Sequence, residues 1–87
     1  MPAVPEPDVT NRLKGIVVGL GVMGSHHLRV LRSLAGVEVI GVVDPDAERR
    51  AIVAGIRGFA DLDAALSETD PDFACIAVPA TELARLA

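Results

Sequence analysis

Residues Gly15 to His27, GIVVGLGVMGSHH, constrain the fold of this chain more than any other stretch. An apolar run, Ile16 to Val18, leads into Gly19-Leu20-Gly21-Val22-Met23-Gly24, and an amphipathic segment starts at once. The order is strand, glycine-rich turn, helix. In a turn that cradles phosphates, the first glycine permits a tight reversal and the second lets backbone N–H groups approach a pyrophosphate. The third lets helix and strand pack closely. The helix then directs unpaired N–H groups and the positive end of its dipole at the phosphates. Glycines also gather in ordinary turns, so the reading depends on what accompanies them.

Its main companion is Asp44, which lies 20 residues after Gly24 and ends a second β-branched run, VEVIGVV. A dinucleotide-binding fold places a carboxylate there to accept hydrogen bonds from the adenosine ribose. The same residue, ahead of Pro45, reads equally as a helix N-cap, and its two oxygens allow both roles. A carboxylate at this point favours NAD, with NADP as the alternative. A 2′-phosphate beside it costs about 4 kcal/mol for unit charges roughly 4 Å apart at an effective dielectric of about 20. An arginine would have to relieve that repulsion; Arg49 and Arg50 are the candidates, but they lie a full turn or more into the next helix. The candidate cofactor-binding set is therefore Gly19, Leu20, Gly21, Val22, Met23, Gly24 and Asp44. Val78 and Pro79 join it, because ligands of open α/β sheets bind outside the carboxyl ends of the strands. Those two also read as a strand stop before a helix cap at Ala80 or Thr81.

Periodicity and punctuation predict strands over Leu13–Val18, Val37–Val43, Ile56–Ala60 and Phe73–Val78. Helices are expected over Val22–Leu34, Ala47–Ala54 and Leu62–Glu68, with another starting at Thr81. In the first helix Leu28, Leu31, Leu34 and Ala35 are expected to face inward, with Arg29 and Arg32 nearer the outside. Gly36 reads as its left-handed C-terminal cap, and Gly55 as the end of the second helix. Asp61 and Asp63 suit the start of the third helix, and Asp70 and Asp72 a turn, so none of the four reads as an acid–base catalyst.

Pro2, Pro5 and Pro7 mark residues 1–11 as a flexible leader. Residues 12–87 read as the N-terminal part of a dinucleotide-binding domain, a doubly wound, Rossmann-like, mostly parallel α/β sheet of about four strands in the order 3-2-1-4. The last strand, within FACIAV, would then be an edge that is apolar on both faces. The sheet is thus expected to be incomplete on its C-terminal side, with the substrate domain absent from this chain. An isolated chain would aggregate or pair through that edge.

Several function classes fall away on composition. The chain has 87 residues, room for one small domain. Its two phenylalanines, lack of Trp and Tyr, and net charge of -4 offer neither stacking platforms nor a basic stripe for nucleic acid. Cys75, the single cysteine, forms no disulfide and is expected to be buried as a small hydrophobe. Adjacent His26 and His27 would point about 100° apart on a helix, which makes them poor joint metal ligands. No metal site is expected. His27 is expected on the inner side near the cofactor cleft, and His26 in solvent. The N-terminus lacks the pattern of a signal peptide, and Gly15–His27 falls short of the ~18–20 apolar residues of a membrane span. The expectation is a cytoplasmic protein without membrane contact.

Three segments, GIVVGLGVMGSHHLRVL, VEVIGVVDPDAERR and FADLDAALSETDPDFACIAVP, together resemble the N-terminal part of the Gfo/Idh/MocA oxidoreductases. The extended pattern G-x-G-x-x-G-x-x-H fits Gly19, Gly21, Gly24 and His27, and the resemblance covers about Leu13 to Ala87. It implies an NAD(P)-binding domain. It also implies hydride transfer between the nicotinamide and a sugar, polyol or related small molecule. A following α/β domain would bind that substrate and often form a homo-oligomer interface. The family's Glu-Lys-Pro lysine and later Asp/His pair are not in this chain, whose lysine is Lys14. Its usual Pro-Thr-x-x-His loop reads here Pro79-Ala80-Thr81-Glu82-Leu83. The GLGVMG turn is also similar to that of the β-hydroxyacid dehydrogenases, which typically continue with proline and small residues. A stand-alone nucleotide-sensing module and an S-adenosylmethionine binder are the remaining alternatives.

Overall fold

The computed structural model describes residues 12–78. The expected leader, Pro79, and the helix expected from Thr81 lie outside the described residues. The element order is β1 (Leu13–Val18), α1 (Val22–Ser33), β2 (Val37–Val43), α2 (Ala47–Ile52), β3 (Gly58–Phe59), α3 (Leu62–Glu68) and β4 (Phe73–Ile76). The four strands form one sheet in the order β3-β2-β1-β4, and every pairing is parallel.

β1 is the centre of this sheet because both of its faces are covered. Ile16 and Val18 join Val43, Phe59 and Ala65 on the α3 side. Val17 joins Leu20, Leu28 and Val42 on the α1 side. A strand buried on both faces reads as a continuous apolar run, which is why IVV does not alternate with polar residues. Ile16, Val17 and Val42 are wholly buried, each contributing about 1.5–3 kcal/mol of transfer free energy.

Between Gly15 and Ile16 the β1–β2 register slips, so that Ile40 of β2 has no partner. Without this bulge the side chains of Val42 and Val43 would exchange faces. Gly41 follows it, and a Cβ there would come within 3.1 Å of the Phe59 ring and 3.3 Å of Ile16. At the N-terminal end of β1, Lys14 N–H donates to the Asp72 carboxylate (2.8 Å) and Asp72 N–H donates to Lys14 C=O (2.7 Å), which staples the start of β4 to β1.

Several sequence expectations need correction. α1 stops at Ser33, with Leu34 extended, and the Leu34 N–H donates to Leu31 C=O at 3.2 Å. Gly36 is not left-handed, since only Gly19 and Gly55 have positive φ among the described residues. Leu34 and Ala35 consequently leave the helix face and are exposed. α2 ends two residues early because Val53 turns in to pack on the α1-side core, with its N–H on Arg50 C=O. β3 shrinks to two residues, of which Phe59 alone is buried. β4 ends at Ile76, leaving Ala77 and Val78 beyond it, although Ala77 N–H still reaches Val18 C=O at 2.8 Å. As expected for an edge, β4 exposes apolar surface, with Ile76 at 44%. Cys75 is free and half-buried on the α1-side core.

Candidate functional site

The carboxyl ends of β1 and β2 meet at the glycine turn, and its three glycines answer to three different constraints. Gly19 has φ +94, and a Cβ on it would lie 2.5 Å from the Ala77 carbonyl oxygen and 2.9 Å from Val78. No side chain fits that reversal. Gly24, buried in the first turns of α1, would drive a Cβ into the Gly19 carbonyl. Gly21 is different, because nothing lies within 4 Å of its Cβ position. The protein fills the space around the first and third glycines and leaves the second facing open space.

Gly21 is also the N-cap of α1, with no side-chain cap hydrogen bond and no acidic residue in the first turn. The helix therefore presents its N-terminal donors and dipole uncancelled. Val22 and Met23 stand out beside it, 88% and 60% exposed.

Asp44 ties this turn to β2. It is the one buried polar or charged residue among those described, at 3% exposure. Its Oδ2 accepts the Leu20 N–H at 2.8 Å, and its Oδ1 accepts the Asp46 N–H at 2.8 Å. The N-cap alternative for Asp44 is thereby corrected. The cap of α2 is Asp46, whose side chain accepts the Glu48 N–H. The two candidate arginines both reach Asp44. Arg49 Nη1 stands 3.6 Å from Asp44 Oδ2, and Arg50 Nη1 donates to the Asp44 carbonyl oxygen. Helix α2 turns back over the end of β2, so a full turn along the sequence becomes a short distance in space.

An open cleft of about 570 Å³ runs between α1 and α2, lined by Leu20, Gly21, Val22, Ser25, His26, Arg29 and Arg49. It contains three of the residues expected there, Leu20, Gly21 and Val22. Gly19, Met23, Gly24 and Asp44 do not line it, and Val78 lies against Gly19 and the α3-side core. His26, not His27, borders the cleft, with Nδ1 3.3 Å from Arg29 Nη2. Sequence reasoning missed Ser25 and Arg29 as lining residues, yet the signal was there. Val22, Ser25, His26 and Arg29 fall at i, i+3, i+4 and i+7 on one stripe of α1.

The arrangement suits a dinucleotide. An uncapped helix N-terminus and an unfilled second glycine can take a pyrophosphate, and a carboxylate fixed beside them can take a ribose hydroxyl. Each Asp44 oxygen accepts one backbone N–H and keeps a second acceptor position. Among the described residues no cluster of three or more His, Cys, Asp or Glu could hold a metal, and no helix is long and apolar enough to cross a membrane.

Comparison with known proteins agrees with this geometry. The Gfo/Idh/MocA model, described as an oxidoreductase family with an NAD-binding Rossmann fold, matches residues 13–86. An inositol 2-dehydrogenase of Arthrobacter sp. strain FB24 is 41% identical over 76 residues, covering 82% of this chain and 23% of that protein. The crystal structure of GenD2 from gentamicin A biosynthesis, in complex with NAD, superposes with a TM-score of 0.75 at 35% identity, over 91% of this chain and 24% of that one. The WlbA dehydrogenase of Chromobacterium violaceum, in complex with NADH and UDP-GlcNAcA, gives 0.73 at 31% identity over 91% of this chain and 24% of that one. The chain spans less than a quarter of the length of these relatives. With its all-parallel sheet and open glycine turn, it is an NAD-binding Rossmann domain and belongs to the Gfo/Idh/MocA oxidoreductase family.

Proposed function

We propose that this chain is the cofactor-binding part of an oxidoreductase that moves hydride between nicotinamide and a sugar, polyol or related hydroxyl or carbonyl compound. In this reading residues 12–87 begin a dinucleotide-binding domain behind a leader of residues 1–11. The groups that hold substrate lie in a separate domain. What carries the reading is Gly21, which caps α1 without a side chain and opens on the cleft.

Backbone N–H groups from Leu20 to Gly24 hold the pyrophosphate in this reading, and Gly21 admits it. Asp44 accepts a ribose hydroxyl once Arg49, 53% exposed, gives way. Val78 and Pro79 border the nicotinamide side. The nicotinamide ring, when bound, supplies the hydride chemistry. This chain's own part is to bind and orient. Its single lysine, Lys14, lies exposed in β1, at the sheet end opposite the glycine turn.

The inositol 2-dehydrogenase relatives support the substrate class. The test is ligand-observed NMR with NAD and the purified chain, beside an assay for nicotinamide reduction with polyols. Saturation transfer to NAD that Gly21→Val abolishes, with no turnover, is the expected result. Transfer that survives Gly21→Val, or a dehydrogenase rate from this chain alone, would overturn the proposal.

A further inference from the structure

We infer that Ser25 is a positioning residue for the pyrophosphate: its hydroxyl locks the Leu20–Gly21 peptide and so aims the first donors of α1. This role rests on the reading that those donors hold the pyrophosphate.

The hydroxyls on the described helices do not all bond alike. Ser33 and Ser67 donate to the carbonyls of Val30 and Ala64, one turn back, and Thr69 donates likewise to Ala65. These are the ordinary local back-bonds of Ser and Thr. Ser25 differs. Its Oγ passes over the Gly21 carbonyl, which its own N–H occupies at 2.8 Å. It donates instead to Leu20 C=O at 3.0 Å, five residues back and outside the helix.

Leu20 is thereby held by side chain, N–H and C=O together. The side chain packs with Val17, Leu28 and Val42, the N–H donates to Asp44 Oδ2 at 2.8 Å, and the C=O accepts from Ser25. Beyond that carbonyl the support stops. Gly21 has no side chain, open space at its Cβ position and no side-chain cap. A peptide plane that precedes a glycine turns over at little steric cost. Because a trans peptide carries N–H and C=O on opposite sides, turning it over would put the Leu20 oxygen where the Gly21 N–H stands. An acceptor would then replace a donor beside the anion. Ser25 opposes that turn by holding the carbonyl against α1. Its one hydroxyl hydrogen goes to Leu20, so Ser25 lines the cleft without a donor for the ligand.

The test joins calorimetry with NAD, urea unfolding, and the Gly21 amide resonance of isotope-labelled chain. Ser25→Ala should weaken NAD about fivefold, the effect of one ordinary hydrogen bond. It should not lower the urea midpoint, because alanine is the better helix former. In the unliganded variant the Gly21 resonance should double or broaden as the peptide samples two orientations. Ser25→Thr keeps the hydroxyl and should restore affinity to within about twofold. Unchanged NAD affinity in Ser25→Ala would overturn the inference alone. So would a loss of affinity with the Gly21 resonance still single and sharp, which would make the hydroxyl a direct ligand contact. A loss that tracks a fallen urea midpoint would do the same, by making the bond a stabilising one only. NAD that fails to bind the unmodified chain would overturn the reading of the pyrophosphate site, and this role with it.

Discussion

Helices α1 and α3 both follow a strand of the same sheet, yet their N-termini are finished in opposite ways. At α3, Asp61 accepts the Ala64 N–H at 2.8 Å and Asp63 adds a second carboxylate in the first turn. The start of α2 follows suit, with Asp46 as cap and Glu48 behind it. At α1 the cap position is Gly21, with neither a capping side chain nor an acid in the first turn. Forgoing an Asp cap costs only a few tenths of a kcal/mol when glycine takes the position. That small sacrifice leaves N–H donors and the positive dipole end facing a cleft. The contrast separates helix starts closed by carboxylates from one left open, which the proposed function gives to an anion.

The most direct way to break this contrast is to give α1 the cap that α3 has. Gly21 is already extended, φ -67 and ψ -165, with open space at its Cβ. Gly21→Asp should therefore fold normally and leave the melting temperature unchanged or slightly higher. It would place a negative charge against the pyrophosphate, at a cost of about 4 kcal/mol for unit charges roughly 4 Å apart at an effective dielectric of about 20. NAD affinity should fall close to a thousandfold in calorimetry. Retained affinity in a folded Gly21→Asp would show that α1 is not the anion site.

The opposite outcome is expected three residues on. Alanine is ordinarily the better helix former by about 1 kcal/mol, but at Gly24 its methyl would collide with the Gly19 carbonyl. Overpacking of this kind costs about 3 kcal/mol. Gly24→Ala should lower the urea midpoint and lose cofactor through the fold. Unchanged stability would mean that helix and turn can part, and that the third glycine is not there for packing.

What the sequence made legible follows the same physical divide. β1, β2 and α3 have the bounds their residues announce, because a strand covered on both faces is a bare apolar run and Asp61 is a local cap. Asp44 was legible by its distance from Gly24, but its use as a tether for the Leu20 N–H was not, since that bond joins residues 24 apart. The exit of α1 was misread because Leu34 ends it in an extended conformation, leaving Gly36 nothing to do in left-handed space. Arg49 was legible only as a candidate a full turn into its helix, because spacing along a helix does not reveal that its guanidinium comes within 3.6 Å of Asp44. His26 is exposed and His27 half-buried, as expected, yet it is the His26 ring, about 100° around the helix from His27, that borders the cleft.

The smallest effect closes the contrast from the other side. Removing the α3 cap with Asp61→Ala should cost about 1 kcal/mol, the usual loss when an Asp cap becomes alanine. The Ala64 N–H is solvated once its partner is gone, since this bond is exposed, so the loss should not exceed that figure. NAD affinity should not move, because α3 packs on the Ile16 and Val18 face while the cleft lies between α1 and α2. Urea unfolding and calorimetry on the same preparation check both halves. A fall in NAD affinity equal to that of a Gly21 variant would mean that the two helix starts are coupled through β1, and that an open N-terminus alone does not define the site.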